Sequence, residues 1–294
     1  MKTACFIYSD NKKYDKLQEC AVRSFKKFHP DIEVYAYTSS NQEFKNLNQI
    51  SSGYKKFLFA EEVASKLGIE KIIILGSDTI TCGRLDEFIN NNDSDILSTL
   101  DYPYRLVLQS VPREQINNGV INSISALALS FSNEDHVNAD VVCFNNIKAL
   151  GETLNCNRWM ANEYGEQGAL NYICNIQNKY TNKIVDGNYK DSDVVYNARA
   201  KGNTTAKAGD RPWFKYTNLF KVQDNKLYTN VHENCSKSKQ IKIWHYCDGL
   251  GTLSKENFEL IINNWIDKGF NEETKNFFTN ECDCGDFFKQ KFVI

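Results

Sequence analysis

The fold class of this chain is indicated most clearly by the stretch Lys71-Ile72-Ile73-Ile74-Leu75-Gly76-Ser77-Asp78-Thr79-Ile80-Thr81. It is an apolar run, rich in β-branched residues and too short to cross a membrane, that ends in a small polar turn. Such a run is typical of a central strand buried on both faces of a sheet. Asp78 follows at the carboxyl end of this strand, the edge where open α/β sheets bind ligands. The position indicates a carboxylate that holds a metal ion or a sugar; the alternative is an Asp that caps a turn before a short helix.

Strand-like and helix-like patterns alternate along the rest of the first half of the chain. The β-prone stretches are residues 4–8, 32–38, 95–100 and 137–145, and the stretches with helical spacing are residues 14–28, 57–67, 85–89 and 159–175. Alternation at this spacing predicts a parallel sheet. The turn Tyr8-Ser9-Asp10 and the carboxylate of Asp101 are then expected at the same edge as Asp78. Residues 102–134 are interpreted as an insertion that covers the pocket.

The second half of the chain is more polar and less regular. Residues 180–239 contain only short apolar pieces, and an apolar stretch then runs into His245-Tyr246-Cys247-Asp248-Gly249-Leu250-Gly251. A glycine-rich turn of this kind brings backbone N–H groups close to a ligand phosphate. The tail, residues 256–294, begins as an amphipathic helix and is interpreted as core packing or an acceptor-side lobe rather than a second domain.

Composition limits the classes of function. The chain has 294 residues, of which 41% are hydrophobic, and can bury a large core as one α/β domain or as a domain with an appendage. A net charge of −2 argues against nucleic acid as the main partner, although it leaves room for a local basic patch. Ser9-Asp10 come too early for a signal peptide, and no segment approaches about 20 apolar residues, so we expect a cytoplasmic protein without a membrane span.

Ten cysteines are scattered singly along the chain. In a chain without a signal peptide this spacing indicates reduced thiols rather than a disulfide framework. The exception to consider is Cys282-Asp283-Cys284, but a zinc site would need two further ligands nearby, and the sequence offers none.

Six polar residues lie at or beside predicted strand or helix ends, namely Asp78, Asp101, Asn138, Glu166, Gln167 and His245. Each alone has a structural explanation, because a His after a strand is commonly a structural residue and Glu166-Gln167 could be a helix N-terminal turn. Together they suggest one pocket that holds a cation and a polyhydroxylated ligand.

The order of these residues resembles glycosyltransferase family 8, the glycogenin-like and lipopolysaccharide galactosyltransferase-like enzymes of the GT-A fold, over most of residues 3–253. The family's Asp-x-Asp-Thr after an apolar strand corresponds to Gly76-Ser77-Asp78-Thr79, and its Asn-Ala/Ser-Gly strand start corresponds to Asn138-Ala139-Asp140. Its Asp-Gln-Gly helix opening corresponds to Glu166-Gln167-Gly168, and its His-Tyr-x-Gly strand end to His245-Tyr246-Cys247-Asp248-Gly249. Its Tyr-x-Arg/Lys segment corresponds to Tyr54-Lys55-Lys56-Phe57.

The resemblance implies a GT-A nucleotide-sugar domain over residues 1–253, with a Rossmann-like, mostly parallel central sheet flanked by helices, and a small helical extension over residues 254–294. It also implies a UDP-sugar donor, UDP-glucose or UDP-galactose, whose diphosphate is bridged by Mn²⁺ or Mg²⁺. The hexose would pass to an acceptor hydroxyl, on a glycan for example, with retention of anomeric configuration.

Roles for individual residues follow from the same resemblance. Asp78 and His245 would ligate the metal. Glu166, Gln167 and Asp101 would line the reacting sugar, with Asn138 beside them and Lys56 approaching from the other side. The remaining donor contacts would come from Tyr8, Ser9, Asp10, Ser77, Ala139, Asp140, Gly249 and Gly251.

The sequence departs from the family at three points. Gly76 replaces the first Asp of Asp-x-Asp, Asp140 replaces a glycine near the donor, and the turn after His245 lacks the family's Lys-Pro-Trp. Two alternatives therefore stay open. One is a sugar-nucleotide or glycan binding protein with a weak metal site, and the other is a sugar nucleotidyltransferase. The latter would need a glycine-rich phosphate loop after the first strand, and residues 9–13 contain no glycine.

Overall fold

The computed structural model describes residues 1–9, 14–38, 52–100, 137–157, 165–175, 177, 179–185, 193–199, 220–229, 239–245 and 255–280. In these ranges the helices are α1 Asp15–Phe28, α2 Ser52–Leu67, α3 Asp86–Asn90, α4 Ile147–Asn157, α5 Gly165–Asn175, α6 Lys255–Lys268 and α7 Glu272–Asn280. The strands are β1 Thr3–Ser9, β2 Glu33–Thr38, β3 Lys71–Gly76, β4 Thr79–Thr81, β5 Ile96–Leu100, β6 Val137–Phe144, β7 Asn182–Ile184, β8 Val194–Val195, β9 Ala198–Arg199, β10 Phe220–Gln223, β11 Lys226–Thr229, β12 Lys239–Ile241 and β13 Ile243–His245.

The chain forms two compact units, each built from several segments. Unit 1 contains Met1–Lys12, Ile32–Gly76 and Asp86–Val185, and unit 2 contains Lys13–Asp31, Ser77–Leu85 and Asp186–Ile294. The chain passes from unit 1 to unit 2 directly after Gly76. Of the stretch from Lys71 to Thr81, the apolar strand therefore belongs to unit 1 and the residues from Ser77 onward belong to unit 2.

Unit 1 is organised around a six-stranded sheet in the order β2-β1-β3-β6-β5-β7. All its strands run in one direction except β6, which pairs antiparallel with β3 and β5. The predicted fold class, a mostly parallel central sheet flanked by helices, is confirmed. Because β1, β3 and β5 are parallel, their carboxyl ends lie at one edge of the sheet, as the sequence predicted.

Strand β3 is central because its side chains are apolar on both faces. Ile72, Ile73, Ile74 and Leu75 are fully buried, as the unbroken apolar run predicted. Lys71, at the start of the strand, is also fully buried. Its Nζ donates to the carbonyl oxygens of residues 89 and 91 at 2.9 and 2.8 Å and to the amide oxygen of residue 92 at 3.1 Å.

The direction of β6 places its first residues at the edge of the sheet where β3 and β5 end. Val141 pairs with Leu75 near the carboxyl end of β3, and Val137 pairs with Leu100 at the carboxyl end of β5. An antiparallel strand begins where its parallel neighbours end. Asn138 and Asp140 therefore lie at this edge although they belong to the start of a strand.

Unit 2 contains two small sheets and the C-terminal helices. One sheet has the order β10-β11-β12-β8 and the other β4-β13-β9. Its core is aromatic: Trp244 contacts Phe277 and Phe278 at centroid distances of 5.6 and 5.0 Å, and Trp265 contacts Phe278 at 5.4 Å. Of the predicted tail helix, Ile262, Trp265 and Ile266 are buried here, whereas Leu260 is exposed.

Several element boundaries differ from the sequence-based expectation. Helix α2 begins at Ser52, five positions before the predicted start at Phe57, and helix α4, Ile147–Asn157, was not predicted. The tail forms two helices, α6 and α7, instead of one. Among the described residues, no helix combines the length and the apolar character that a membrane span requires.

The cysteines that the structure describes are free thiols, namely Cys5, Cys20, Cys82, Cys143, Cys156 and Cys174. Burial raises the pKa of the Cys20 and Cys143 thiols to about 12, which keeps both protonated and unreactive. The prediction of reduced thiols is confirmed for these six. Cys282-Asp283-Cys284 lies outside the described residues.

Candidate functional site

The structure groups the described polar candidates into two clusters, one in each unit. The first, in unit 2, forms around the pairing of β4 with β13. Thr79 pairs with His245 in an antiparallel register, and this places Asp78, one residue before β4, beside the last residue of β13. The two side chains meet with Asp78 Oδ1 3.2 Å from His245 Nε2. The resemblance to family 8 assigns both residues to one metal site.

His245 has a further partner that the sequence analysis missed. Its Nδ1 lies 2.8 Å from Oδ1 of Asn197, one residue before β9. Both side chains are buried, at 3% and 2% exposure, whereas the Asp78 side chain keeps 23% exposure. The imidazole of His245 is therefore contacted by a buried side chain, and the carboxylate of Asp78 is accessible to solvent.

The geometry of this pair fits a divalent cation. Adjacent ligand atoms of an octahedral ion bound at about 2.1 Å lie about 3.0 Å apart, close to the 3.2 Å between Asp78 Oδ1 and His245 Nε2. Imidazole nitrogen and carboxylate oxygen are ordinary ligands of such ions. No cluster of three or more His, Cys, Asp or Glu side chains able to hold a metal occurs within the described residues. The pair thus offers two protein ligands.

The second cluster, in unit 1, surrounds Lys56 on helix α2. Nζ of Lys56 lies 2.5 Å from Asp140 Oδ1 and 3.4 Å from Glu166 Oε1. The lysine side chain is buried and the two carboxylates are partly exposed, at 35% and 22%. Burial would lower the pKa of Lys56, but the charges of Asp140 and Glu166 outweigh this and hold the pKa above its ordinary value. Lys56 is therefore a permanent cation with two anionic partners.

Helix α5 is tied to the start of β6, and this attachment positions Glu166 and Gln167. The side-chain amide of Asn171 accepts from the N–H of Val137 and donates to its carbonyl oxygen, both at 2.8 Å. Gln167 stands one turn earlier on the same helix face. Its Oε1 accepts from the N–H of Ala139 at 3.2 Å and from Nδ2 of Asn138 at 3.4 Å.

Asn138 also organises its own strand. Its Oδ1 accepts the N–H of Asp140 at 2.8 Å, and this bond fixes the backbone from which the Asp140 carboxylate reaches Lys56. Ala139 and Gln167, which belong to two motifs and are 28 positions apart in sequence, are thus joined by a direct hydrogen bond. The sequence motifs identified these residues, but they did not indicate that Asp140 pairs with Lys56.

The other predicted site residues have varied surroundings. Tyr8, Ser9 and Ala139 are buried in their strands, and the Tyr8 ring lies 5.7 Å from that of Phe59. Ser77 is half-buried in the turn after β3. Asp10, Asp101, Gly249 and Gly251 and the predicted insertion, residues 102–134, lie outside the described residues. Their roles, and the expectation of a single pocket, stay predictions.

Comparison with known proteins gives a similarity of fold. No protein-family model matches the sequence, and no curated protein matches it either. Among solved structures, the chain is similar to the bifunctional glycosyltransferase WbbM, with 10% identity, a TM-score of 0.50 and coverage of 83% of this chain. The chain spans 45% of the WbbM chain, which is less than half its length.

Two further glycosyltransferase structures match over most of this chain at lower TM-scores. The galactosyltransferase LgtC, in complex with donor and acceptor sugar analogues, has 14% identity and a TM-score of 0.49 over 92% of this chain and 98% of LgtC. The glycosyltransferase GlyE of Streptococcus pneumoniae TIGR4 has 16% identity and a TM-score of 0.48 over 91% of this chain and 64% of GlyE. The mostly parallel central sheet with its reversed strand β6 and the likeness to WbbM agree with the predicted GT-A fold.

Proposed function

We propose that this chain is a retaining glycosyltransferase that transfers a hexose from a UDP-sugar to an acceptor hydroxyl. The observation that carries the proposal is the Asp78–His245 pair, in which a carboxylate oxygen and an imidazole nitrogen face each other at 3.2 Å. Within unit 2, His245 is the last residue of β13, and Asp78 stands one residue before β4, the strand that pairs with β13. The order of sequence motifs, which resembles family 8, supports the choice of donor.

Mn²⁺ or Mg²⁺ is the proposed occupant of this pair. A divalent cation held there would stabilise the charge that accumulates on the departing nucleotide diphosphate without any proton transfer. Asp78 Oδ1 and His245 Nε2 would be its protein ligands, and the positions left over suit phosphate oxygens and water, which such ions commonly retain. The other ring nitrogen of His245, Nδ1, lies 2.8 Å from Asn197 Oδ1.

The polar cluster of unit 1 is proposed to bind the hexose. Carboxylate oxygens accept hydrogen bonds from hydroxyl groups, and Asp140 and Glu166 are the partly exposed members of that cluster. Lys56 forms ion pairs with the Asp140 and Glu166 side chains. The Gln167 side chain accepts a hydrogen bond from the backbone of β6. With Asp101, Glu166 and Gln167 are the proposed residues beside the reacting sugar carbon, and UDP-glucose or UDP-galactose is the proposed donor.

Binding experiments test the first step of this proposal. Isothermal titration calorimetry with UDP alone, Mn²⁺ alone and both together should show UDP binding that tightens when Mn²⁺ is present. The Asp78→Ala variant should lose this tightening and still unfold cooperatively. Asp193→Ala is the matched control, because Asp193 is an exposed aspartate of the same unit to which no role is assigned. UDP binding that ignores Mn²⁺ would remove the cation from the proposal.

Turnover experiments test the second step. Hydrolysis of a panel of UDP- and GDP-sugars should be fastest with UDP-hexoses and should depend on Asp78. Tight binding of UDP and Mn²⁺ without hydrolysis or transfer of any sugar in the panel would instead indicate a sugar-nucleotide binding protein. Formation of nucleotide-sugar from UTP and a sugar phosphate would indicate a nucleotidyltransferase.

A further inference from the structure

We propose that Asn197 is a positioning residue of the metal pair, which fixes the tautomer and the orientation of His245 so that its Nε2 presents a lone pair towards Asp78. The inference rests on the proposed function, because it takes the pair to be a divalent-cation site. Asn197 belongs to none of the sequence motifs that led to Asp78 and His245. Its assignment comes from the contact in the fold alone.

The hydrogen-bonding groups define the tautomer. Oδ1 of Asn197 carries no hydrogen, so a hydrogen bond to it at 2.8 Å requires His245 Nδ1 to be the donor. A neutral imidazole has one N–H, and Nε2 is then left with a lone pair. Both side chains are nearly inaccessible to solvent, so water cannot readily take the place of the asparagine oxygen.

The second nitrogen faces a group that also accepts. Nε2 of the neutral ring and Oδ1 of Asp78, 3.2 Å apart, would present lone pairs to each other. Two such acceptors repel unless a cation or a proton lies between them. A purely structural His–Asp pair uses the opposite tautomer, in which Nε2–H donates to the carboxylate. The contact with Asn197 therefore favours metal ligation over a simple hydrogen bond between His245 and Asp78.

The sheet β4-β13-β9 holds Asn197 in place. Arg199 pairs with His245 in the parallel register of β9 and β13, and Asn197 stands one residue before β9. Lys242 N–H donates to the carbonyl oxygen of Val195 at 2.8 Å, which ties the segment before Asn197 to the segment before β13. The donor and acceptor are thus set by backbone pairing, although 48 residues separate them in sequence.

Asn197→Leu and Asn197→Asp provide a matched pair of variants. Leucine has a similar size but lacks the acceptor, whereas aspartate keeps an acceptor oxygen in the same place. Loss of a residue that orients a metal-ligating histidine typically weakens metal affinity 10- to 100-fold. We expect a loss of this size in Mn²⁺ affinity for Asn197→Leu, measured with Mn²⁺ alone and with Mn²⁺ plus UDP, and a change of about threefold or less for Asn197→Asp.

Asn145→Leu controls for general loss of stability. Asn145 is a half-buried asparagine of unit 1 whose Nδ2 donates to the carbonyl oxygens of Asn91 at 3.0 Å and Ser94 at 2.7 Å. Its replacement should lower the melting temperature without changing Mn²⁺ affinity. Equal losses of affinity in Asn145→Leu and Asn197→Leu would overturn the proposal, because a positioning role is specific to the contact with His245.

Histidine nitrogen NMR supplies a readout that activity cannot. The chain has four histidines, so the His245 signals can be assigned by comparison with His245→Gln. At a pH where the ring is neutral, the metal-free wild-type protein should show the Nδ1–H tautomer, and Asn197→Leu should show the Nε2–H tautomer. An Nε2–H tautomer in the wild-type protein overturns the proposal even if the leucine variant does not fold.

The outcomes separate this inference from the proposed function. If Asp78→Ala abolishes Mn²⁺ binding while Asn197→Leu binds Mn²⁺ normally, the positioning role is refuted and the metal site stands. If the wild-type protein binds no Mn²⁺ with or without UDP, the cation is refuted and the inference falls with it. The Nδ1–H tautomer together with selective loss of Mn²⁺ affinity in Asn197→Leu and its recovery in Asn197→Asp supports the assignment.

Discussion

Replacement of Lys56 by methionine should destabilise the protein more than loss of either of its carboxylate partners. The three charges of Lys56, Asp140 and Glu166 give a net charge of −1. Lys56→Met changes the net charge of the cluster to −2, whereas Asp140→Asn changes it to 0. The first variant leaves two carboxylates facing each other without a cation. The second leaves an intact Lys56–Glu166 pair.

The magnitude follows from burial. Removal of one partner of a fully buried ion pair costs about 3–5 kcal/mol, since the other charge is left uncompensated. Here only the lysine is fully buried, while the Asp140 and Glu166 side chains keep 35% and 22% of their exposure and can recruit water. We therefore expect a loss of about 2–3 kcal/mol for Lys56→Met and about 1 kcal/mol for Asp140→Asn.

Chemical denaturation of the two single variants and the double variant measures these losses. The double variant restores a net charge of −1, so its loss should fall short of the sum of the single losses by about 1 kcal/mol or more. Asp193→Asn is the matched control for removal of a carboxylate, because Asp193 is exposed. A loss for Lys56→Met that is equal to or smaller than that for Asp140→Asn would show that Lys56 does not hold the two carboxylates together.

The pH dependence of the same measurement checks the charge state. The pKa of Lys56 is raised on folding, so its contribution to stability is complete below the ordinary lysine pKa of about 10.4. That contribution is lost only as the pH rises through the higher pKa of the folded state. The difference between wild type and Lys56→Met should therefore stay constant between pH 6 and pH 9. A decline across this window would mean that the folded protein holds Lys56 neutral.

Three further predictions concern residues outside this cluster. Hydrogen bonds from Asn146 and Thr181 lower the pKa of Asp95. Asp95→Asn should therefore lower the free energy of unfolding by about 1 kcal/mol at pH 7, measured by urea titration. The difference in stability between wild type and variant should shrink as the pH falls below about 4. Lys71→Met should cost about 2 kcal/mol in the same assay, because the three oxygens that accept from Nζ lose their donor; an unchanged midpoint would contradict this. Gly76→Asp, which restores the Asp-x-Asp pattern, should lower the half-saturating Mn²⁺ concentration for UDP-sugar hydrolysis up to tenfold; an unchanged value in a folded variant would disprove the motif assignment.

The sequence predicted the central sheet because burial leaves a local pattern. Strand β3 has four consecutive apolar residues that are fully buried, and such a run identifies a strand covered on both faces. Helix α4 also had a local pattern, since Ala149, Leu150, Thr153 and Leu154 are spaced for one helical face and are buried. A count of helical spacing over residues 147–157 would have found this helix.

Contacts between distant residues could not be predicted in the same way. Lys56 and Asp140 are 84 positions apart, and His245 and Asn197 are 48 positions apart. No periodicity connects such residues, because each contact depends on strand order and direction. The reversed direction of β6 is one example: the sequence marks residues 137–145 as a strand without indicating which of its ends lies beside the carboxyl end of β3.

The direction of β6 also determines what Asp140 does. In the family that the sequence resembles, a glycine occupies this position and a basic side chain faces the nucleotide sugar. In this chain β6 starts at the edge where β3 and β5 end. Asp140 therefore lies near Lys56 of helix α2, and its carboxylate oxygen Oδ1 is 2.5 Å from the Lys56 Nζ. The basic group is neutralised by Asp140 and Glu166, and the partly exposed groups are the two carboxylates. A sugar hydroxyl that binds here would therefore act as a hydrogen-bond donor to Asp140 or Glu166 rather than as an acceptor from Lys56. Donor sugars that differ in the presence or orientation of one hydroxyl should accordingly be distinguished by the Asp140→Asn variant less sharply than by the wild-type protein.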